Sequence, residues 1–127
     1  MPGPEVPPYL ELADGYSVYL PRGEVSLTEA VGMVTDAIAY CQGQSIVKLL
    51  VDTTLLTGYS SPTLHDRYWM AQDWAAAAQG SVTVAVVAHA QHIHPDKFGI
   101  QAAADAGMTC DVFTAENDAV VWLLQQR

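Results

Sequence analysis

At 127 residues the chain fits one domain able to bury a core without metal or disulfide staples. Half of it is apolar, and five Lys or Arg stand against fourteen Asp or Glu, a net charge of −9 that opposes a nucleic-acid backbone and offers no pull toward anionic lipid. Contact with a membrane is left only the route of an apolar patch.

The proline-rich residues 1–8 form a flexible lead-in to a single domain over 9–127. They carry neither a basic nor an apolar signal segment, so the expected location is the cytoplasm. Tyr9 to Ala13 and Tyr16 to Leu20 flank Asp14-Gly15, a pair that closes tight hairpins, and predict two antiparallel strands. Ser26 and Glu29 make a capping box, after which Leu27, Ala30, Val31, Val34, Ile38 and Cys41 recur at helical spacing until Gly43. Ile46 to Val51 reads as a strand, Pro62 to Gln79 as a helix, and the apolar Val82 to Ala88 as a strand covered on both faces. Pro95 suits a first helical turn, Gly107 ends that helix, Cys110 to Phe113 is a last strand, and Thr114 caps a final helix with Ala119, Val120 and Leu123 inward. Cys41 and Cys110 lack metal or redox spacing and read as free, buried thiols.

The order β-β-α-β-α-β-α-β-α predicts an α/β fold: an N-terminal hairpin, repeated α-β units, a mixed but mostly parallel sheet and about four helices. Ligands of such sheets gather beyond the carboxyl ends of the strands. The two loops leaving those ends run from Asp52 to Ser61 and from His89 to His94. They share one rim only if the strands ending near 51 and 88 are adjacent and parallel.

This layout resembles the SpoIIAA-like fold of STAS domains. VDTTLLTGYSSPTL is similar to the anti-sigma-factor-antagonist pattern, in which an Asp at a strand end precedes a D-S-S-G-L helix start. Nearly the whole chain from residue 9, through VKLLVDTTLLTGY, DRYWMAQDWA, VTVAVVAHA and DKFGIQAAADAG, resembles uncharacterised bacterial STAS-like proteins, sometimes grouped with CRAL-TRIO-like lipid binders. The resemblance implies a binding or regulatory module and brings no catalytic motif. An ungapped match sets Ser60 on the pattern's Asp, Ser61 on its phosphoserine, Pro62 on the next serine and Thr63 on its glycine. Phosphate at Ser60 or Ser61 would meet a helix N-terminus, although Ser-Ser-Pro is also ordinary helix-capping sequence.

Several residues invite a chemical reading. His89, His92 and His94 with Asp52 offer imidazole and carboxylate to a metal, yet without the helical spacing that aims two ligands together, and exposed loop histidines are the plainer reading. Asp52 has no assignable nucleophile or base beside it and suits capping of its own loop. On the helix from Pro62, Leu64, Ala71, Ala75 and Ala78 face the sheet with Tyr68 and Trp74 at the flanks. Trp69 projects on the opposite side with His65, Asp73 and Ala76, either covered by the same chain or anchoring a partner, and a homodimer is expected there. Arg67, at the margin of the inward face, either pairs with Asp52 or another acid, or holds an anionic headgroup.

The leading expectation is a non-enzymatic module that recognises a protein partner or a small apolar or amphipathic, lipid-like ligand through Asp52, Tyr59, His65, Arg67, Tyr68, Trp69 and His89, with no cofactor, no resident metal and no nucleic acid. The alternatives are a regulator switched at Ser60 or Ser61, and a small metal-dependent enzyme using Asp52 and the loop from His89 to His94.

Overall fold

The computed structural model describes residues 6–93 and 95–126, so His94 and most of the lead-in lie outside the described residues. Strand β1 (Leu10–Ala13) pairs antiparallel with β2 (Tyr16–Tyr19), and Ala13 faces Tyr16 across the two-residue turn. Only Gly15 of that turn takes positive φ, at 86°.

Helix α1 (Leu27–Gly43) starts with the expected box. The Ser26 hydroxyl accepts from the Glu29 N–H at 3.1 Å and the Glu29 carboxylate from the Ser26 N–H at 3.2 Å. Strand β4 (Lys48–Asp52), helix α2 (Leu64–Ala78), strand β6 (Thr83–Val87), helix α3 (Phe98–Asp105), strand β7 (Cys110–Phe113) and helix α4 (Glu116–Gln125) follow. Two short strands escaped the sequence reading. Strand β3 (Gly23–Glu24) lies parallel to β5 (Leu56–Thr57), clipping the lead into α1 onto the loop after β4.

The main sheet has the order β1-β2-β4-β6-β7, antiparallel at its first pair and parallel thereafter. Strands β4 and β6 are neighbours in register, Val51 beside Val86 and Asp52 beside Val87, so their exits open together. Each crossover steps the same way along the sheet, and right-handed connections therefore stack α1, α2 and α3 on one face. The strand alternation follows: Leu49, Val51, Val84 and Val86 pack under those helices, while Leu50, Ala85 and Val87 meet Ala119 and Leu123 of α4 on the other face. Complete burial of each Leu or Val contributes about 1.5–3 kcal/mol relative to exposure.

Four expectations need correction, three of them at helix starts. Helix α2 begins at Leu64 rather than Pro62 and is capped by Thr63, not Ser61, because Thr63 and Asp66 form a reciprocal box that Ser61 is too far upstream to make. Helix α3 begins at Phe98, since Lys97 takes a left-handed φ of 51° that cannot continue a helix back to Pro95. Helix α4 starts after Ala115 with no side-chain cap, leaving Thr114 one residue short of that position. The inward face of α2 is also narrower than its period predicts: Ala71, Ala75 and Ala78 are buried, whereas Leu64 and Tyr68 are 52% and 45% exposed. Lying between α1 and α3, this helix has only alanines fully buried, with Trp74 packed partly buried against the core.

Candidate functional site

The two loops beyond β4 and β6 are tied into one rim. Asp52 stays local, its carboxylate accepting from the Thr54 N–H at 2.9 Å and the Thr54 hydroxyl at 2.6 Å. Thr53 turns the other way, and its hydroxyl donates to the Val87 carbonyl at 3.0 Å. His89 reaches back from the second loop, donating through Nε2 to the Thr54 carbonyl at 3.0 Å. The Ser61 hydroxyl donates to the Gln91 carbonyl at 2.8 Å, and the Tyr59 ring leans on His92 with centroids 5.4 Å apart. These contacts span 30 or more residues of sequence, which is possible because β4 and β6 run side by side.

Behind the rim lies a cavity of about 120 Å³ between the sheet and helices α1, α2 and α3. Space of this size exceeds the roughly 10–15 Å³ that one water needs and approaches an engineered apolar cavity of about 150 Å³ that takes up benzene. Its walls are chiefly apolar: Leu27, Val31 and Val34 of α1, Met70 and Trp74 of α2, Val86 of β6 and Ile100 of α3. Leu27 and Val31 belong to the apolar stripe of α1 but are only partly buried, because the stripe runs past the sheet contact and floors the cavity. Trp74 is held by a hydrogen bond of 3.4 Å from its indole N–H to the Val31 carbonyl.

A few polar groups interrupt this wall, namely Thr53, Tyr59, Arg67, His92 and Lys97. Arg67 is the most constrained. Its Nη1 donates to the His92 carbonyl at 2.9 Å, while its Nε is buried without a partner. Desolvation lowers its pKa, with the neighbouring charge of Asp66 acting against the shift. The expected pairing with Asp52 or another acid is not made: among the described residues Arg67 has no ion pair, because Asp52 is engaged with Thr54 and Asp66 with Thr63. Burial also lowers the His92 imidazole, helped by the charges of His89 and Arg67, which disfavours its charged form. Burial raises the Tyr59 phenol and pushes the Cys110 thiol, at the cavity wall, up to about 12.

Of the residues singled out from sequence, Tyr59 and Arg67 line this cavity. Asp52 and His89 shape the rim without lining it. His65, Tyr68 and Trp69 lie outside, on the exposed face of α2. Trp69 is 53% exposed and donates its indole N–H to His65 Nε2 at 2.8 Å, beside a shallow groove between α1 and α2 edged by Asp36, Asp66 and Asp73. Ser60 is exposed. Among the described residues no three His, Cys, Asp or Glu side chains are grouped to hold a metal; His94, the last member of the histidine run, lies outside them. No described helix is long and apolar enough to cross a membrane.

Sequence reasoning missed the contributions of Met70, Trp74, Ile93 and Ile100 to the cavity. The one available signal was the surplus of large apolar positions on α1, beyond those its sheet contact covers. Compared with family models, curated proteins and solved structures, the chain matches none of them.

Proposed function

We propose that the chain is a non-enzymatic, STAS-like binding module that takes a small amphipathic ligand into the cavity behind the joined loops. The observation that carries this reading is the make-up of the cavity, an apolar chamber at the carboxyl ends of parallel strands with a short row of polar groups, Arg67 foremost. The state of the thiol at the wall supports binding over chemistry: burial holds Cys110 as a protonated thiol, a poor nucleophile. Free Cys41 and Cys110 support a place in the reducing cytoplasm.

An NMR titration with short-chain alcohols and carboxylates tests the reading. Shifts should concentrate at Val34, Met70, Trp74 and Ile100. Shifts spread over the surface, or none with any compound, would remove the cavity as a binding site.

A second reading concerns the outer face of α2, where Leu64, Tyr68 and Trp69 are 52%, 45% and 53% exposed. Large apolar side chains grouped in water support self-association through this face. Sedimentation equilibrium should show a dimer that Trp69→Ala weakens; a monomer at all concentrations would dismiss it.

A further inference from the structure

We infer that the ligand of this cavity carries a carboxylate head and that Arg67 receives it through its Nε–Nη2 edge. The inference rests on the reading of the cavity as a ligand site and adds the sign and geometry of the polar group.

The distribution of charge is the first support. The chain has fourteen Asp or Glu and only five Lys or Arg, yet among the described residues the cavity is lined by Arg67 and Lys97 and by no acid. Lys97 is already neutralised, its ammonium 2.7 Å from the Asp111 carboxylate. Arg67 is not. The adjacent Asp66 uses its carboxylate on the Thr63 N–H at 2.9 Å, and no other described acid reaches the guanidinium. A strongly acidic protein has thus placed one uncompensated cation at the wall of its apolar chamber. Partly buried charge is costly unless an opposite charge or full hydrogen bonding relieves it.

The hydrogen bonds of Arg67 supply the geometry. Nη1 is engaged by the His92 carbonyl, which fixes the plane of the fork. Nε is buried without a partner, and Nη2 donates to no described residue. Those two N–H groups lie along one edge of the guanidinium, the edge that grips a carboxylate with two parallel bonds. The rest of the wall, Val34, Met70, Trp74, Val86 and Ile100, suits an alkyl or arylalkyl body. With Lys97 paired to Asp111, Arg67 offers a single positive charge, so a monoanion fits better than a phosphomonoester.

Calorimetry near pH 7 with octanoate, octanol and octylamine, each below its micelle concentration, tests this on the full chain. Octanoate should bind at least about tenfold more tightly than octanol, with octylamine weakest. Arg67→Met should abolish the preference, bringing octanoate to the level of octanol. Arg67→Lys keeps the charge but loses the fork and should retain only part of the preference, which also covers the case in which Arg67→Met does not fold. Equal binding of octanoate and octanol to the unaltered protein, with NMR shifts still at the cavity, would overturn the carboxylate assignment and spare the cavity reading. Failure of all three compounds to bind would overturn both.

Discussion

Arg67 of α2 donates through Nη1 to the main-chain carbonyl of His92 at 2.9 Å, joining a helix start to a loop 25 residues away. The same bond fixes the second loop and orients the guanidinium at the cavity. Its loss has two opposing effects on stability: one charge-assisted hydrogen bond disappears, and so does a buried Nε that has no partner. Arg67→Met should therefore lower stability by no more than about 1–2 kcal/mol in urea unfolding. Hydrogen exchange should nevertheless speed up around His89 to Ile93. Unchanged exchange there would show that the loop is held by the His89, Ser61 and Tyr59 contacts without Arg67.

The cap of α2 distinguishes two serine or threonine positions that sequence alone could not rank. Thr63→Ala removes the acceptor for the Asp66 N–H and should cost about 1 kcal/mol, whereas Ser61→Ala should leave the helix start intact and loosen only the link to Gln91. Thermal melts and amide exchange at Asp66 and Arg67 read the difference. Asp66 is held below the ordinary carboxyl value by its hydrogen bonds from Thr63, so the contribution of this cap is present above that value of 3.8 and fades as pH falls below it.

Gly58 sits where the small β3–β5 sheet closes on the lead into α1. Its φ is 99°, and an added Cβ would lie 2.8 Å from both the Val25 carbonyl oxygen and the Glu24 side chain. Gly58→Ala should therefore destabilise by about 2 kcal/mol or more through backbone strain and steric clash. The melting temperature measures the loss. A melt within a degree of the parent protein would mean that this small sheet opens at little cost.

Ser17 occupies the central run of β2 with its hydroxyl buried and unpartnered. Removing a desolvated, unsatisfied oxygen relieves a cost of about 1–3 kcal/mol, offset in part by the lost volume. Ser17→Ala should raise the melting temperature by a few degrees. A drop would indicate that the hydroxyl has a water partner.

The two thiols make stability depend on alkaline pH. Burial raises Cys41 from 9.0 to about 11 and Cys110 from 9.0 to about 12. A raised thiol favours the folded state while it stays protonated, so this contribution is complete below 9.0 and is lost as pH climbs through 9 toward 11 and 12. Denaturant midpoints should fall across that window, and less so in Cys41→Ala. At about pH 8 the buried Cys41 should react with a disulfide reagent only as fast as the protein opens, whereas Cys110, half-buried at the cavity wall, is not shielded in the same way.

The near-continuous apolar run VTVAVVA, the box of Ser26 and Glu29 and the turn at Asp14-Gly15 are local signals, and each produced its element. Order along the chain then determined the sheet, because short helical crossovers leave few topologies open. The joined rim was legible for the same reason: it needs only that β4 and β6 be parallel neighbours. What lay beyond the sequence was the direction of individual side chains. Tyr59 and Arg67 turn to the cavity, while His65, Tyr68 and Trp69, on the same helix as Arg67 or next to it, turn to solvent. A helical period gives angles around one axis and cannot say how wide a face its neighbours will cover. That width was decided by α1 and α3 closing on either side of α2, so the cavity, its uncompensated guanidinium and the partners of every rim hydroxyl came into being only with the packing of three helices on one sheet.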